Sequence, residues 1–124
     1  MSNPTFVQGP ITFTAAQALE KFTLVAVNAE GKIAPADATG AVFGAVTEKA
    51  DPANNALPDD LAVHYGPAAV KLTVEGDASA IKAGVPVYAA ANGRVAATGT
   101  VQVGVAARDG SGDRVLTVLN RLPV

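Results

Sequence analysis

The second half of this chain repeats its first. Leu19 to Pro35 lies over Ile81 to Ala97 at a constant offset of 62 residues, so that Val25 matches Val87, Gly31 matches Gly93, Lys32 matches Arg94 and Ile33 matches Val95. The match resumes with Phe43-Gly44-Ala45-Val46 over Val103-Gly104-Val105-Ala106 at an offset of 60. Upstream, Ile11-Thr12-Phe13 pairs with Leu72-Thr73-Val74 at 61. A repeat of this kind is a duplicated supersecondary unit, in which core positions and turn glycines recur while surface residues drift. What recurs here is scaffold, because the repeat carries no nucleophile, base or metal ligand from one half to the other.

The units are short and strand-like. Pro10 opens an alternating Ile11 to Thr14, Phe22 to Val27 follows, and Asn28 to Gly31 turns into Lys32-Ile33-Ala34. Val42 to Thr47 is a further strand, with Gly44 marking a bulge or a close backbone approach. In Val70 to Glu75, Val70, Leu72 and Val74 point one way and Lys71, Thr73 and Glu75 the other. Asn92-Gly93 suits the positive φ angles of a type I′ hairpin turn. Pro86 lacks a donor, which places its strand at an edge or a bulge. The alanines of Ala15 to Lys21 allow one short helical turn. The expectation is an all-β fold, a compact β-barrel or sandwich built from a duplicated β-unit, with an extended N-terminal arm. Residues 1–9 form the arm and 10–124 a single β domain, the repeat spanning about 10–50 and 71–110.

Composition narrows the function classes. The 124 residues suffice for one domain with a substantial core, and 49% are hydrophobic although only 5% are aromatic. Ala, Val and Gly suit closely approaching strands more than an aromatic-walled pocket. With a net charge of −2 and nine scattered basic residues, there is no electrostatic footprint for nucleic acid. Without Cys, neither a disulfide framework nor a thiolate metal site can form. The first ten residues lack the basic and apolar regions of a signal peptide, and no apolar run nears the ~18 residues of a membrane span. The reading is a protein made in a cytoplasm, with no membrane partner.

Several local patterns resemble reactive sites. Ser79-Ala80-Ile81-Lys82 fits the S-x-x-K of serine acyl enzymes, but the accompanying S-D-N and K-T-G elements are missing. Asp109, Ser111 and Asp113 have the oxygen spacing that begins a calcium loop. Arg114 and Asn120 then stand where glycine and a bidentate glutamate are needed, which leaves a polar hairpin tip. His64 is the sole histidine and reads as a solvated strand residue, outward if Leu61, Val63 and Tyr65 face the core. Glu48, Asp51, Asp59 and Asp60 belong to an irregular surface loop over 48–60. No catalytic residue, cofactor or metal site is expected, and the chain does not read as an enzyme.

The sequence I-K-A-G-V-P-V-Y at 81–88 leads to N-G-R-V at 92–95, V-x-V-G-V-A at 101–106 and V-L-T-V-L-N at 115–120. This arrangement resembles the small capsid decoration, or cement, proteins of tailed bacteriophages, over roughly Pro10 to Leu122. The resemblance implies a structural protein on the outer surface of the virion capsid. Its partners would be the major capsid protein and further copies of itself, commonly as a homotrimer, reinforcing the expanded shell by bridging capsomers. It also implies an arm that orders against the shell, with Pro4, Thr5, Phe6 and Val7 as its contacts. Phe22, Phe43 and Tyr88 are the candidates for the face between copies. The other open reading is a host-surface or glycan recognition module displayed on a virion, although only two Tyr and no Trp are present to stack on sugars.

Overall fold

The computed structural model describes residues 9–124. The described residues form ten short strands. In the first unit they are β1 (Ile11–Thr14), β2 (Thr23–Val27), β3 (Ile33–Pro35), β4 (Gly44–Val46) and β5 (Asp60–Val63). The second unit supplies β6 (Ala69–Thr73), β7 (Pro86–Ala89), β8 (Val95–Ala96), β9 (Gln102–Ala106) and β10 (Arg114–Val118). The second unit is one open sheet in the order β6-β10-β9-β7-β8. The first has the same neighbours but is split into β1-β5 and β3-β2-β4, joined through a single bridge between Ala45 and His64.

Register, not just order, is duplicated. Ala26 faces Ala34 and Val27 faces Ile33, as Tyr88 faces Ala96 and Ala89 faces Val95. Val25 and Leu24 face Gly44 and Ala45, as Val87 and Pro86 face Gly104 and Val105. The lone Ala45–His64 bridge corresponds to the Val105–Val118 pair of the second sheet. For the opening strand, pairing sets the equivalence: Ile11 opposite Val63 and Phe13 opposite Leu61 correspond to Val70 opposite Thr117 and Leu72 opposite Val115. Sequence likeness had laid Ile11 on Leu72; the structure lays it on Val70, two residues away. Because side chains alternate with period two, that slip leaves the same face inward, so hydrophobic pattern alone could not detect it.

The fold is all-β, and of barrel and sandwich the sheets are those of a sandwich. In each unit the first and third strands touch only at one parallel bridge, Ala15–Ile33 and Val74–Val95, and no ladder closes a ring among the described residues. The helical turn expected over Ala15 to Lys21 is absent. Ala15 and Leu19 are buried and bridged to Ile33 and Ala50, so tertiary pairing overrides alanine propensity there. The only helical pieces among the described residues are 3-10 turns at Ala78–Ala80 and Ala91–Gly93.

Two cores follow from the repeat. One lies within the first unit, around Leu19, Val25, Ile33, Val46, Leu61 and Val63. The other fills the second unit with Leu72, Val74, Ile81, Val87, Val95 and Val115, and it also takes in Leu24, Ala36, Val42 and Ala45 from the first. One face of β2 therefore lines the first core while its other face is buried against the second unit. Gly93 sits at that seam, where its N–H donates to the Ala36 carbonyl at 2.7 Å. A Cβ on Gly93 would meet Thr23 and the Leu24 carbonyl. Asn92 (φ 58°, ψ 35°) and Gly93 (φ 74°) both take positive φ, the turn that Asn-Gly predicts.

Pro86 opens β7 just before a bulge at Val87/Tyr88. Strand β8 reaches only Tyr88 and Ala89, so the missing donor of Pro86 falls beyond the end of the ladder.

Candidate functional site

The residues singled out in the sequence are held in place by ordinary turn chemistry. The Ser79 hydroxyl donates to Asp77 Oδ1 at 2.6 Å and the Ser79 N–H to the same oxygen at 3.0 Å. Those two bonds, the hydroxyl first, hold the Asp77 carboxyl below its ordinary value, with a small contribution from the Lys82 ammonium. Ile81, between Ser79 and Lys82, is buried in the second core. This stretch is a capped 3-10 turn. Asp109 Oδ1 accepts from the Ala83 N–H at 2.8 Å, and Ser111 and Arg114 exchange backbone bonds across the tip, as a hairpin end should.

His64 is half-buried and exchanges both backbone bonds with Ala45 at 2.8 Å. The loop over 48–60 folds on itself through two Asx turns, Asp51 Oδ1 accepting from Ala53 N–H and Asn54 Oδ1 from Ala56 N–H. The Thr14 hydroxyl donates to Asp60 Oδ1 at 2.8 Å, tying its end to β1. Among the described residues no three His, Asp or Glu side chains converge as metal ligands.

The arm residues Pro4, Thr5, Phe6 and Val7 lie outside the described residues. The three aromatic candidates occupy three different settings. Phe43 is engaged within the first unit, edge-on to Phe13 at 5.2 Å between centroids and 6.0 Å from Tyr65. Phe22 holds a left-handed backbone (φ 58°) where the chain enters β2, with the Arg114 guanidinium 4.4 Å above its ring. Tyr88 stands half-exposed on the outward side of β7, beside the exposed Pro86.

Arg114 also lines a cleft that sequence reading did not anticipate. It runs along the seam between the units, holds about 650 Å³, and is lined by Lys21, Lys49, Arg94 and Arg114 with Thr73 and Asn92. Glu20 and Asp113 also line it, and each lies near one of the cations, at 3.9 Å from Lys49 and 3.7 Å from Arg114. Both pairs are solvent-exposed, where such contacts contribute little. The cations come from both units, and only the fold brings them together.

No family model and no curated protein matches the chain. Among solved structures, the N base of the head fibre gp8.5 of bacteriophage phi29 superposes with a TM-score of 0.65 and 19% identity. The superposition covers 93% of this chain and 96% of that one. The two share a fold over almost their whole lengths.

Proposed function

We propose that this chain is a structural protein of a tailed-phage head. It binds the exterior of the expanded capsid and stabilises it by bridging capsomers, as a homotrimer, with residues 1–9 as an arm against the major capsid protein. The observation that carries the reading is the near full-length fold match to a phage head fibre base, which agrees with the decoration-protein pattern of the sequence. The body suits the role: recurring positions are spent on core and turns, and the Ser79 and Asp109 side chains are committed to local backbone and turn contacts. The role needs no catalysis and no cofactor. Repeated placement on a symmetric shell multiplies weak contacts through effective concentration.

Cosedimentation with mature capsids of the encoding phage tests this, comparing the full chain with one that starts at Pro10. Saturable binding at a stoichiometry set by three-fold sites, lost with the arm, is the expected result. If neither chain binds expanded shells, the decoration reading fails, and a recognition module displayed on the virion becomes the better account.

A further inference from the structure

Four of the nine basic residues line the cleft at the seam, with only two of the eleven acidic ones. Lys21 lies just before β2, Lys49 just after β4, Arg94 between the Asn92-Gly93 turn and β8, and Arg114 opens β10. Backbone pairing assembles them. The antiparallel Leu19–Ala50 bridge runs the Lys21 and Lys49 segments side by side. The Thr73 N–H donates to the Phe22 carbonyl at 2.9 Å, and Arg114 stands opposite Thr73 in the β6–β10 ladder. The bond from the Gly93 N–H to the Ala36 carbonyl brings Arg94 to the same seam.

The charge gathered there is poorly neutralised from within. Lys21 and Arg94 make no ion pair among the described residues. The other two cations are loosely paired, Lys49 with Glu20 at 3.9 Å and Arg114 with Asp113 at 3.7 Å. A charge-assisted hydrogen bond would be roughly 2.7–2.9 Å. The cations are also the more enclosed partners: Lys49 and Arg114 are 46% and 43% exposed, against 78% for Glu20 and 71% for Asp113. A cationic cleft thus stands in a chain whose net charge is −2. Clefts lined by one sign of charge focus the field and concentrate ligands of the other.

We propose that this cleft binds an acidic segment of a partner polypeptide through two or more of its carboxylates. Its volume of about 650 Å³ falls within the roughly 300–1,000 Å³ of ligand sites. The guanidiniums of Arg94 and Arg114 are planar forks that match a carboxylate, and Lys21 and Lys49 add point charges. Thr73 and Asn92 supply neutral polar groups for a peptide backbone. The lining contains no aromatic ring, so a sugar or a base finds nothing to stack on. Carboxylate suits the cleft better than phosphate, whose second negative charge would fall beside Glu20 and Asp113. The site goes beyond the capsid reading and does not depend on it: the probe is a free peptide and no capsid is needed, so the two fail separately.

The test is an NMR titration of the full, isotopically labelled chain with an end-blocked tetraglutamate peptide at low ionic strength. The expected result is saturable shifts centred on the Lys21, Thr73, Arg94 and Arg114 amides, lost in high salt. Lys21→Ala and Arg94→Ala are each expected to weaken binding about threefold. Lys32→Ala, which removes the exposed twin of Arg94 outside the cleft, should leave it unchanged. Lys21 and Arg94 are both exposed, circular dichroism checks the fold, and Arg94→Gln replaces the alanine variant if that one fails to fold. No saturable shift, binding that survives both cleft substitutions unchanged, or an equal loss in Lys32→Ala overturns the inference. Tripolyphosphate, of similar charge, is the competing ligand; if it binds more tightly than the peptide, the acidic-peptide assignment falls and a phosphate site takes its place.

Discussion

The two units share a strand order and a register, yet the first is split where the second is continuous. Between β4 and β5 the first unit has one bridge, Ala45–His64, beside the edge-on Phe13 and Phe43 and the tilted Tyr65. The second runs unbroken through β9 and β10 and packs aliphatic residues, Leu72 and Val103 standing where the first has Phe13 and Phe43. The difference teaches that backbone pairing and side-chain packing substitute for one another. Where the ladder is short, larger rings fill the gap at the sheet's edge, and edge-to-face pairs add to their area burial.

The sharpest test of that contrast uses twin glycines. A Cβ on Gly104 would collide with the Val118 carbonyl oxygen, and one on Gly44 with that of His64. Both collisions are with backbone, so strands must separate for either alanine to fit. Gly104→Ala, in the continuous sheet, is expected to cost about 3 kcal/mol or more, and Gly44→Ala about half of that, because a single bridge yields more easily than a ladder. Urea unfolding of both variants measures this. Equal losses would mean that the split in the first unit is one of pairing only and not of rigidity.

A smaller effect tests the cores. Thr117, fully buried in β10, takes the place of Val63 in β5, and its hydroxyl reaches only the Val115 carbonyl at 3.4 Å. Thr117→Val gives the second unit the first unit's chemistry at that position. Removing a poorly satisfied buried hydroxyl is expected to raise stability by up to about 1 kcal/mol, read as a higher urea midpoint at unchanged slope. A loss instead would show that the hydroxyl holds β10 in a way its geometry does not suggest.

Much of this architecture was legible in the sequence, for identifiable reasons. Repeated apolar alternation located the strands, and Asn92-Gly93 specified its turn because few residues adopt that backbone. Gly44 was marked as a close approach, and it lies against His64. Tertiary pairing was not legible. Nothing local distinguishes Ala15–Leu19 bridged to two strands from a helical turn, nor Ile11 laid on Val70 from Ile11 laid on Leu72. The seam cleft was hidden for the same reason, since Lys21, Lys49, Arg94 and Arg114 come from four separate segments. The left-handed Phe22 beneath Arg114 has no sequence signature at all.

The last difference between the units is electrostatic. Where the second unit has the Asp77-capped turn before Ile81, the first reaches Leu19 through Ala15 and Gln17, with no carboxylate at that place. Asp77 is held below its ordinary value by the Ser79 hydroxyl and N–H, so over the window between the two values the unfolded chain binds more protons than the folded one. Stability from this group is therefore fully present above the ordinary value and is lost as pH falls through the lowered one. Asp77→Asn keeps an acceptor and removes the charge. It should open the second unit more readily near neutrality, with the difference from wild type closing in strong acid. Hydrogen exchange at the Ile81 amide, which donates to the Ala78 carbonyl at 3.0 Å, reads the second unit. The Leu19 amide, bonded to the Ala50 carbonyl at 2.7 Å, reads the first. After correction for intrinsic rates, Ile81 should respond to the substitution and Leu19 should not. A matched response at both amides would mean that the two units open as one, and that the split in the first gives it no independence.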